Sequence, residues 1–181
     1  IYSWDDYDRF RKVPTNIPKE FEKYIGMPVS EVPDPWKCHD SYARHFEDEL
    51  EKSLPLIDVK PEFIRQNEMY KSCKYAEVIK IAMNKKLKII EILNKYRTEH
   101  LLENWWPITI YCEKCKKDFT EVLDYDWNYN IEYECKCGFK NKIDFRKKGI
   151  VKLNWRVDWA ARQYFENVDF EPAGKDHCAA G

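Results

Sequence analysis

Four cysteines stand in two close pairs, in the segments "IYCEKCKKDF" and "EYECKCGFK". Two thiolates separated by one or two residues converge on one ion when the chain turns tightly between them. Zinc favours four such soft ligands with no open position, which makes the ion structural rather than catalytic. The spacing therefore predicts a zinc site on Cys112, Cys115, Cys135 and Cys137. Gly138 follows the last of them and can take the positive φ that closes the turn.

Two neighbouring disulfides, or free thiols in a core, are the alternatives for these four cysteines. The chain has seven cysteines, an odd number that cannot pair completely. Its first residues, "IYSWDDYDRF", lack the basic start and apolar run of a secretory signal. Both observations favour metal ligation over disulfide formation.

A second cluster of ligand-type side chains lies upstream, in "PDPWKCHDSYARHF". Pro35 is suited to open a helix with Asp34 as its N-cap, and this helix would bring Cys38 and His45 to one face. The pattern predicts a mixed metal site on Asp34, Cys38, His39 and His45. Two alternatives stay open: His100 takes the fourth place, or the segment is a helix cap beside two surface histidines.

Short strands must position the cysteines. The segments "ITIY", "NIEYE" and "KIDF" flank the two cysteine pairs and are typical of strands, which predicts a hairpin-rich zinc ribbon. Near the two ends of the chain, "IYSW" and "IVKLNW" also predict strands.

Helical patterns occupy much of the remaining chain. "VPTNIPKEFEKYIG" predicts a loop and then a helix from Pro18 to Gly26. Residues 61–100 predict two or three helices with a break near Asn84. "RVDWAARQYF" predicts an amphipathic helix whose inward face consists of Val157, Ala160, Ala161, Tyr164 and Phe165. The following "VDFEPAGKDH" predicts a strand that runs into a glycine-containing loop.

The order of these elements indicates a fold class. Strand and helix segments at both ends enclose a helical block and the metal ribbon, which predicts a parallel α/β domain with a long insertion. Such sheets bind ligands at the carboxyl ends of their strands, so "EPAGKDH" is the predicted binding loop.

Charge is unevenly distributed along the 181 residues, although the net charge is only −1. Residues 80–97 carry six basic side chains and one acid, and residues 136–152 carry seven basic side chains and one acid. Two such stretches predict local attraction of a polyanion, with solvated surface faces as the alternative. No stretch reaches the roughly 18 apolar residues that a membrane helix needs, so we expect no membrane partner and a cytoplasmic location.

Three segments carry a resemblance to a known family: "SWDDYDRFRKVP", "PDPWKCHDSYARHF" and "NWRVDWAARQYFENVDFEPAGKDHCAAG". They resemble the class I lysyl-tRNA synthetases of archaea and some bacteria, and the likeness covers essentially all 181 residues. It implies part of a Rossmann-type nucleotide-binding fold with an inserted helical and zinc-ribbon region. It also implies ATP-dependent activation of lysine, with Mg²⁺, and transfer of lysine to tRNA(Lys).

The chain departs from the family's pattern in one respect. Neither a HIGH-type nor a KMSKS-type ATP signature is present, and the chain does not begin with Met. We therefore expect an internal segment that is inactive by itself. By the resemblance, its four parts are residues 1–30 of the catalytic core, a helical insertion over 31–105, a zinc ribbon over 106–149, and a return to the core over 150–181.

The resemblance also implies the substrate-binding residues, which are Trp155, Gly174, Asp176 and His177. Trp155 would stack on the lysine stem, Gly174 would allow close approach of adenosine, and Asp176 would bind the ribose hydroxyls or the substrate amine. His177 would bond a polar group of the substrate. Without the family, packing, turn formation and helix capping are the alternatives for these residues, and no residue is assigned a direct catalytic role.

The resemblance implies zinc at both metal clusters, and it makes the basic face around Lys85, Lys86 and Lys88 a predicted contact for the acceptor end of the tRNA. Two other functions remain alternatives. One is a zinc-ribbon module that binds RNA or protein without catalysis. The other is a class I synthetase for another amino acid such as glutamate, whose pocket would need cationic side chains where a lysine pocket needs acids and aromatics.

Overall fold

The structure is a computed structural model and describes residues 1–174. Seven strands are present in this range: β1 (Tyr2–Trp4), β2 (Phe63–Arg65), β3 (Ile108–Ile110), β4 (Thr120–Tyr125), β5 (Asn130–Cys135), β6 (Lys140–Asp144) and β7 (Val151–Leu153). The α-helices of the same range are α1 (Tyr42–Ser53), α2 (Gln66–Lys71), α3 (Ala76–Asn84), α4 (Lys86–Asn94) and α5 (Trp155–Phe165). Short 3-10 helices cover Lys19–Tyr24, Val29–Glu31 and Leu54–Ile57. None of the described helices is both long and apolar enough to cross a membrane.

The strands form three small sheets. β1 and β2 run parallel, with Tyr2 opposite Phe63. β3 and β7 are antiparallel, with Ile110 opposite Val151. β4, β5 and β6 form an antiparallel meander, the ribbon. The described part is therefore a mixed helix and strand structure in which β1–β2 is the parallel pair.

The main core lies between the helices and the ribbon. Its fully buried side chains come from α2, α3, β5, the segment after β6, and β7, and include Tyr70, Met83, Ile131, Phe145 and Leu153. A smaller cluster of Phe10, Ile17, Phe21 and Val32 closes the N-terminal loops. Because one core spans helices and ribbon, the ribbon is packed against the helical block.

Gly149 shows how closely the end of the ribbon approaches α2. A Cβ atom at this position would lie 2.4 Å from both the Cα of Lys71 and the carbonyl oxygen of Tyr70. These neighbours are backbone atoms that cannot rotate away, so glycine is required for the approach. The carbonyl of Gly149 also accepts a hydrogen bond of 2.8 Å from the hydroxyl of Tyr7.

Most of the predicted elements are confirmed. The helical block breaks where expected, because α3 ends at Asn84 and α4 begins at Lys86. The strands predicted at "IYSW", "ITIY", "NIEYE", "KIDF" and "IVKLNW" are β1, β3, β5, β6 and β7. The helix predicted after Pro18 forms as the 3-10 helix Lys19–Tyr24, and Gly26 beyond it has a positive φ of 94°.

Two predictions near the C-terminal end of the described chain are wrong. α5 does not turn Ala160 or Tyr164 inward, and Tyr164 is 76% exposed. Asp158 occupies the fully buried position instead, because the ammonium of Lys152 lies 3.0 Å away and requires a counter-charge. Residues 168–174 form no strand.

The division into four parts at residues 30, 105 and 149 remains a prediction. Two strand pairs join its parts in the structure. β2 lies inside residues 31–105 and pairs with β1, while β3 lies inside residues 106–149 and pairs with β7. The chain therefore returns to its first strand before the ribbon begins.

Candidate metal centres and ligand cleft

The four predicted cysteine ligands meet at one end of the ribbon. Cys112 and Cys115 lie in the turn after β3, while Cys135 ends β5 and Cys137 lies in the turn to β6. All four Sγ atoms lie within 4.8 Å of one another. The Sγ distances are 3.7 Å between Cys112 and Cys137 and 3.6 Å between Cys115 and Cys135. A tetrahedral zinc ion with Zn–S bonds of about 2.3 Å separates its sulfurs by about 3.8 Å, so the cluster fits a metal ion.

Two tight turns bring the sulfurs together. The N–H of Lys116 donates to the carbonyl of Cys112, and the N–H of Gly138 donates to the carbonyl of Cys135, each at 2.8 Å. Lys116 and Gly138 both have positive φ, 63° and 80°, which confirms the role predicted for the glycine. None of the six cysteines within residues 1–174 is in a disulfide, which removes the disulfide alternative for this cluster.

The pKa values of these thiols indicate that the cluster needs a bound cation to become fully ionised. Burial raises the pKa of Cys112 and of Cys135, the latter to about 12. A hydrogen bond from the backbone N–H of Phe139 lowers the pKa of Cys137 to about 7. Two of the sulfurs therefore resist ionisation by themselves, and a bound cation would supply the charge that makes them thiolates.

The second cluster is built by one buried carboxylate. Asp34 accepts hydrogen bonds from the backbone N–H groups of Trp36, Cys38 and His39 at 3.1, 2.8 and 2.9 Å. Burial opposes ionisation of this carboxyl, yet these hydrogen bonds lower the pKa of Asp34 to about 2. The helix predicted from Pro35 is wrong, because the carboxylate ties the backbone into a turn. The helix α1 begins only at Tyr42, with Ser41 as its N-cap.

The four predicted residues of this cluster nevertheless converge. The Sγ of Cys38 lies 3.2 Å from the Nδ1 atoms of both His39 and His45, and 3.2 Å from Oδ2 of Asp34. One ligand atom from each of the four lies within 4.8 Å of all the others, and His100 is not among them. The imidazole of His45 stacks on Trp36 with ring centroids 4.2 Å apart. Sulfur, nitrogen and oxygen donors at this spacing fit a transition metal such as zinc.

A further carboxylate supports this second cluster from outside. The Nε2 atom of His39 points away from the other ligand atoms and lies 3.2 Å from Oδ2 of Asp48 on α1. Lys52 and Arg44 also pair with Asp48, at 2.5 and 3.6 Å, which fixes its orientation. A carboxylate on the outer nitrogen of a histidine ligand fixes the ring's tautomer and orientation.

We therefore expect Asp48→Asn to weaken metal binding at this cluster by roughly 10- to 100-fold. The measurement is competition between the protein and a chromophoric chelator for Co²⁺ or Zn²⁺. Lys52→Met is the matched control, because it removes a partner of Asp48 without touching His39. Equal affinity in Asp48→Asn and the parent protein would contradict a role for this contact.

The predicted substrate residues that the structure describes line an open cleft of about 850 Å³. Trp155 is the first residue of α5, and Gly174 lies in the exposed segment 171–174 that also lines the cleft. Asp176 and His177 lie outside the described residues. The rest of the lining comes from β1 and its following residue, from α5 and from the segment after it, including Tyr2, Ser3, Asp5, Arg162, Glu166, Asp169 and Glu171.

None of the five charged residues that line this cleft was identified as a site residue from the sequence, and two of the five lie close to each other. Asp5 and Arg162 both line it, and their side chains lie 3.7 Å apart. Burial raises the pKa of Asp5 although Lys152 and Arg162 act against the shift. The run Asp5, Asp6 and Asp8 was the available sequence signal, but spacing alone cannot tell which of three aspartates faces a cleft.

Comparison with known proteins assigns the family. The family model for tRNA synthetases class I (K) matches residues 1–181. The chain belongs to this family.

Individual relatives are similar to this chain over its whole length. The chain is 52% identical to a lysine–tRNA ligase of Pyrococcus furiosus, and 49% identical to one of Methanocaldococcus jannaschii. A lysine–tRNA ligase of Borrelia garinii subsp. bavariensis is 48% identical. Each match covers 100% of this chain but only 34–35% of the relative. The chain thus spans about a third of the length of the curated relatives that it matches.

Proposed function

We propose that the whole protein to which this chain belongs is a lysine–tRNA ligase. The observation that carries the proposal is 45–52% identity, over the whole chain, to relatives named lysine–tRNA ligase. The reaction joins lysine and ATP to give lysyl-adenylate and pyrophosphate, and then moves the lysyl group to the 3′ end of tRNA(Lys). A cytoplasmic location is part of the proposal, since tRNA and ATP are the partners.

Catalysis of this kind depends on positioning the reactants and stabilising phosphate charge more than on a protein nucleophile. In this proposal the described residues supply part of a Rossmann-type core with a zinc-ribbon insertion. The parallel pair β1–β2 supports the first assignment, and the antiparallel β4–β6 meander with its cysteine cluster supports the second. ATP and Mg²⁺ would be bound by residues that include parts outside this chain.

The cleft is the proposed lysine site. Trp155 lines it at the start of α5 and is stacked with Trp159, ring centroids 5.9 Å apart. An indole face attracts a cation and packs along a four-carbon stem, which suits the side chain of lysine. Gly174 also lines the cleft and would permit close approach of the nucleotide. Asp176 would bind the ribose hydroxyls or the substrate amine, and His177 a polar group of the substrate.

The charge of the cleft favours lysine over glutamate as the amino acid. Its described lining contains four carboxylates, from Asp5, Glu166, Asp169 and Glu171, and one guanidinium, from Arg162. A carboxylate substrate would meet net repulsion there, whereas an ammonium would be attracted. One buried oxygen of Glu166, Oε1, has no hydrogen-bond partner among the described residues, and it is therefore able to accept a bond from a ligand.

Trp155→Ala in the whole protein tests this assignment. The KM for lysine in ATP–pyrophosphate exchange should rise about tenfold while the KM for ATP stays within about twofold, because the ring is proposed to contact only the lysine stem. Trp155→Phe should recover most of the loss. Tyr164→Ala, on the exposed face of the same helix, is the control. Pyrophosphate exchange stimulated by glutamate but not by lysine would contradict the proposed function. Exchange activity in this chain alone would instead contradict the expectation that part of the ATP site lies outside it.

A further inference from the structure

Two oppositely charged side chains of the cleft lie side by side without a hydrogen bond. Asp5 and Arg162 both line the cleft, and Oδ2 of the first lies 3.7 Å from Nη2 of the second. Their other ion pairs are also long: 3.7 Å from Asp5 to the ammonium of Lys152, and 3.4 Å from Arg162 to Asp158. Within residues 1–174 neither side chain donates or accepts a hydrogen bond. Partly buried polar groups normally have such a partner, so the pair has bonding capacity left for a ligand.

The other members of the same ion network are bonded differently. The ammonium of Lys152 donates to Asp158 at 3.0 Å and lies 3.1 Å from Asp8, which also accepts from Arg11 at 2.9 Å. Asp158 accepts a second hydrogen bond from the hydroxyl of Tyr70. None of these five residues lines the cleft. The short bonds of the network therefore lie away from the cleft, and the two members that line it are left without them.

The charge balance of the network limits what can bind to this pair. Its carboxylates and its cations are equal in number: Asp5, Asp8 and Asp158 against Lys152, Arg162 and Arg11. A ligand group with a single charge would leave that charge unneutralised in a partly buried place, which is costly. A group that carries a positive and a negative charge side by side adds no net charge and offers a partner to each of the two residues.

We infer that Asp5 and Arg162 bind the α-ammonium and the α-carboxylate of the amino-acid substrate. Asp5 accepts hydrogen bonds from the ammonium, and the N–H groups of Arg162 donate to the carboxylate. A guanidinium suits this role because its parallel N–H groups match the two oxygens of a carboxylate. The side chains of Asp5 and Arg162 are 35% and 12% exposed, so both are accessible to a ligand in the cleft.

The position of Arg162 on α5 agrees with this assignment. Trp155 and Arg162 are seven residues apart on this helix, which places them on one face, two turns and about 10 Å from each other. Both line the cleft. A lysine whose α-carboxylate is bound by Arg162 can therefore extend its stem along the cleft towards Trp155. The inference rests on the proposed function, in which this cleft binds lysine, and it adds the residues that bind the end of the substrate common to all amino acids.

Calorimetric titration of the whole protein with three ligands tests the inference. The ligands are lysine, 1,5-diaminopentane, which lacks the α-carboxylate, and 6-aminohexanoate, which lacks the α-ammonium. Arg162→Gln should weaken binding of lysine and 6-aminohexanoate by about 10- to 100-fold and leave 1,5-diaminopentane within about twofold, because that ligand has no carboxylate to lose a partner. Asp5→Asn should have the opposite selectivity: it should weaken lysine and 1,5-diaminopentane and spare 6-aminohexanoate.

Arg146→Gln is the matched control, because its guanidinium pairs with Asp144 outside the cleft and should affect none of the three ligands. A role of Arg162 in folding alone would weaken all three ligands alike, so equal weakening by Arg162→Gln overturns the inference, as does unchanged binding of lysine. Lysine-dependent pyrophosphate exchange by the parent protein keeps the two proposals apart. If the parent shows this exchange and the variants do not discriminate among the ligands, only the inference fails. If the parent neither binds lysine nor shows the exchange, the proposed function fails and the inference fails with it.

Discussion

Cys135→Ser should abolish metal binding at the cysteine cluster of the ribbon and disorder β4, β5 and β6. The side chain of Cys135 is buried at the end of the central ribbon strand, and its sulfur is one of four that meet within 4.8 Å. The binding energy of a structural zinc is part of the folding energy, with apparent values of about 10–16 kcal/mol in small zinc modules. Because single substitutions usually cost about 0.5–3 kcal/mol, this is among the largest effects that we expect.

Elemental analysis and amide hydrogen exchange measure the two parts of this result. The parent protein should contain two zinc ions per chain, and the variant one. Protection should be lost over residues 108–145 and kept in α1. Cys73→Ser is the control, because Cys73 lies outside both metal clusters and should leave two ions bound. Two ions in Cys135→Ser, or a ribbon that stays protected without metal, would contradict a structural metal at this cluster.

Lys152→Met should destabilise the protein by about 3–5 kcal/mol. The ammonium of Lys152 is almost fully buried and lies 3.0 Å from Asp158, 3.1 Å from Asp8 and 3.7 Å from Asp5. Methionine has a similar length, so the packing volume is nearly kept. The cost arises because three carboxylates lose the central cation that neutralises them, although Arg162 still pairs with two of them, Asp5 and Asp158.

Chemical denaturation measures the loss in this variant. Lys140→Met is the control, since it breaks an exposed pair with Glu132 and should cost less than about 1 kcal/mol. A double variant that also carries Asp158→Asn should recover part of the stability, because one buried charge is removed together with its partner. A loss in Lys152→Met no larger than that in Lys140→Met would be inconsistent with a buried ion network.

Lys152→Met should also reverse the contribution of Asp8 to the pH dependence of stability. Burial alone would raise the pKa of Asp8, but Lys152 and Arg11 lower it below its usual value. A lowered folded-state pKa contributes stability above the unfolded value of about 3.9, and this stability is lost as the pH falls through the folded value. Without Lys152 the effect of burial dominates, and the pKa of Asp8 should rise. The variant should then become more stable relative to the parent as the pH falls from 6 towards 4.

The two candidate metal clusters could be predicted from sequence better than the structure around them. Two cysteines separated by one or two residues determine their own geometry through a local turn, so the spacing was sufficient for all four cysteines. The second cluster was found by residue type, but its backbone was not. Asp34 was expected to cap a helix, whereas its carboxylate binds three successive backbone N–H groups and prevents helix formation until Ser41. Competition between a side-chain hydrogen bond and helix formation leaves no periodic pattern in the sequence.

Long-range pairing was the other part that the sequence could not supply. β2 has three residues and lies inside a helical block, and only its pairing with β1 makes it a strand. The inward face of α5 was assigned to apolar residues because hydrophobic periodicity cannot anticipate a buried ion pair. In the sequence, Lys152 is one of seven basic residues in the segment 136–152. Only the fold places Asp5, Asp8 and Asp158 around it.

The pairing of β3 with β7 has a consequence for how the chain assembles. Ile110 and Val151 are direct partners although about 40 residues separate them, and closing a loop of that length costs conformational entropy. The ribbon hairpins close over much shorter distances, and an ion at Cys112 and Cys137 would tie together the two sides of the long loop. Metal binding would then precede pairing of β3 with β7 and shorten the loop that this pairing must close. The ion would thus raise the rate of folding as well as the stability of the folded state.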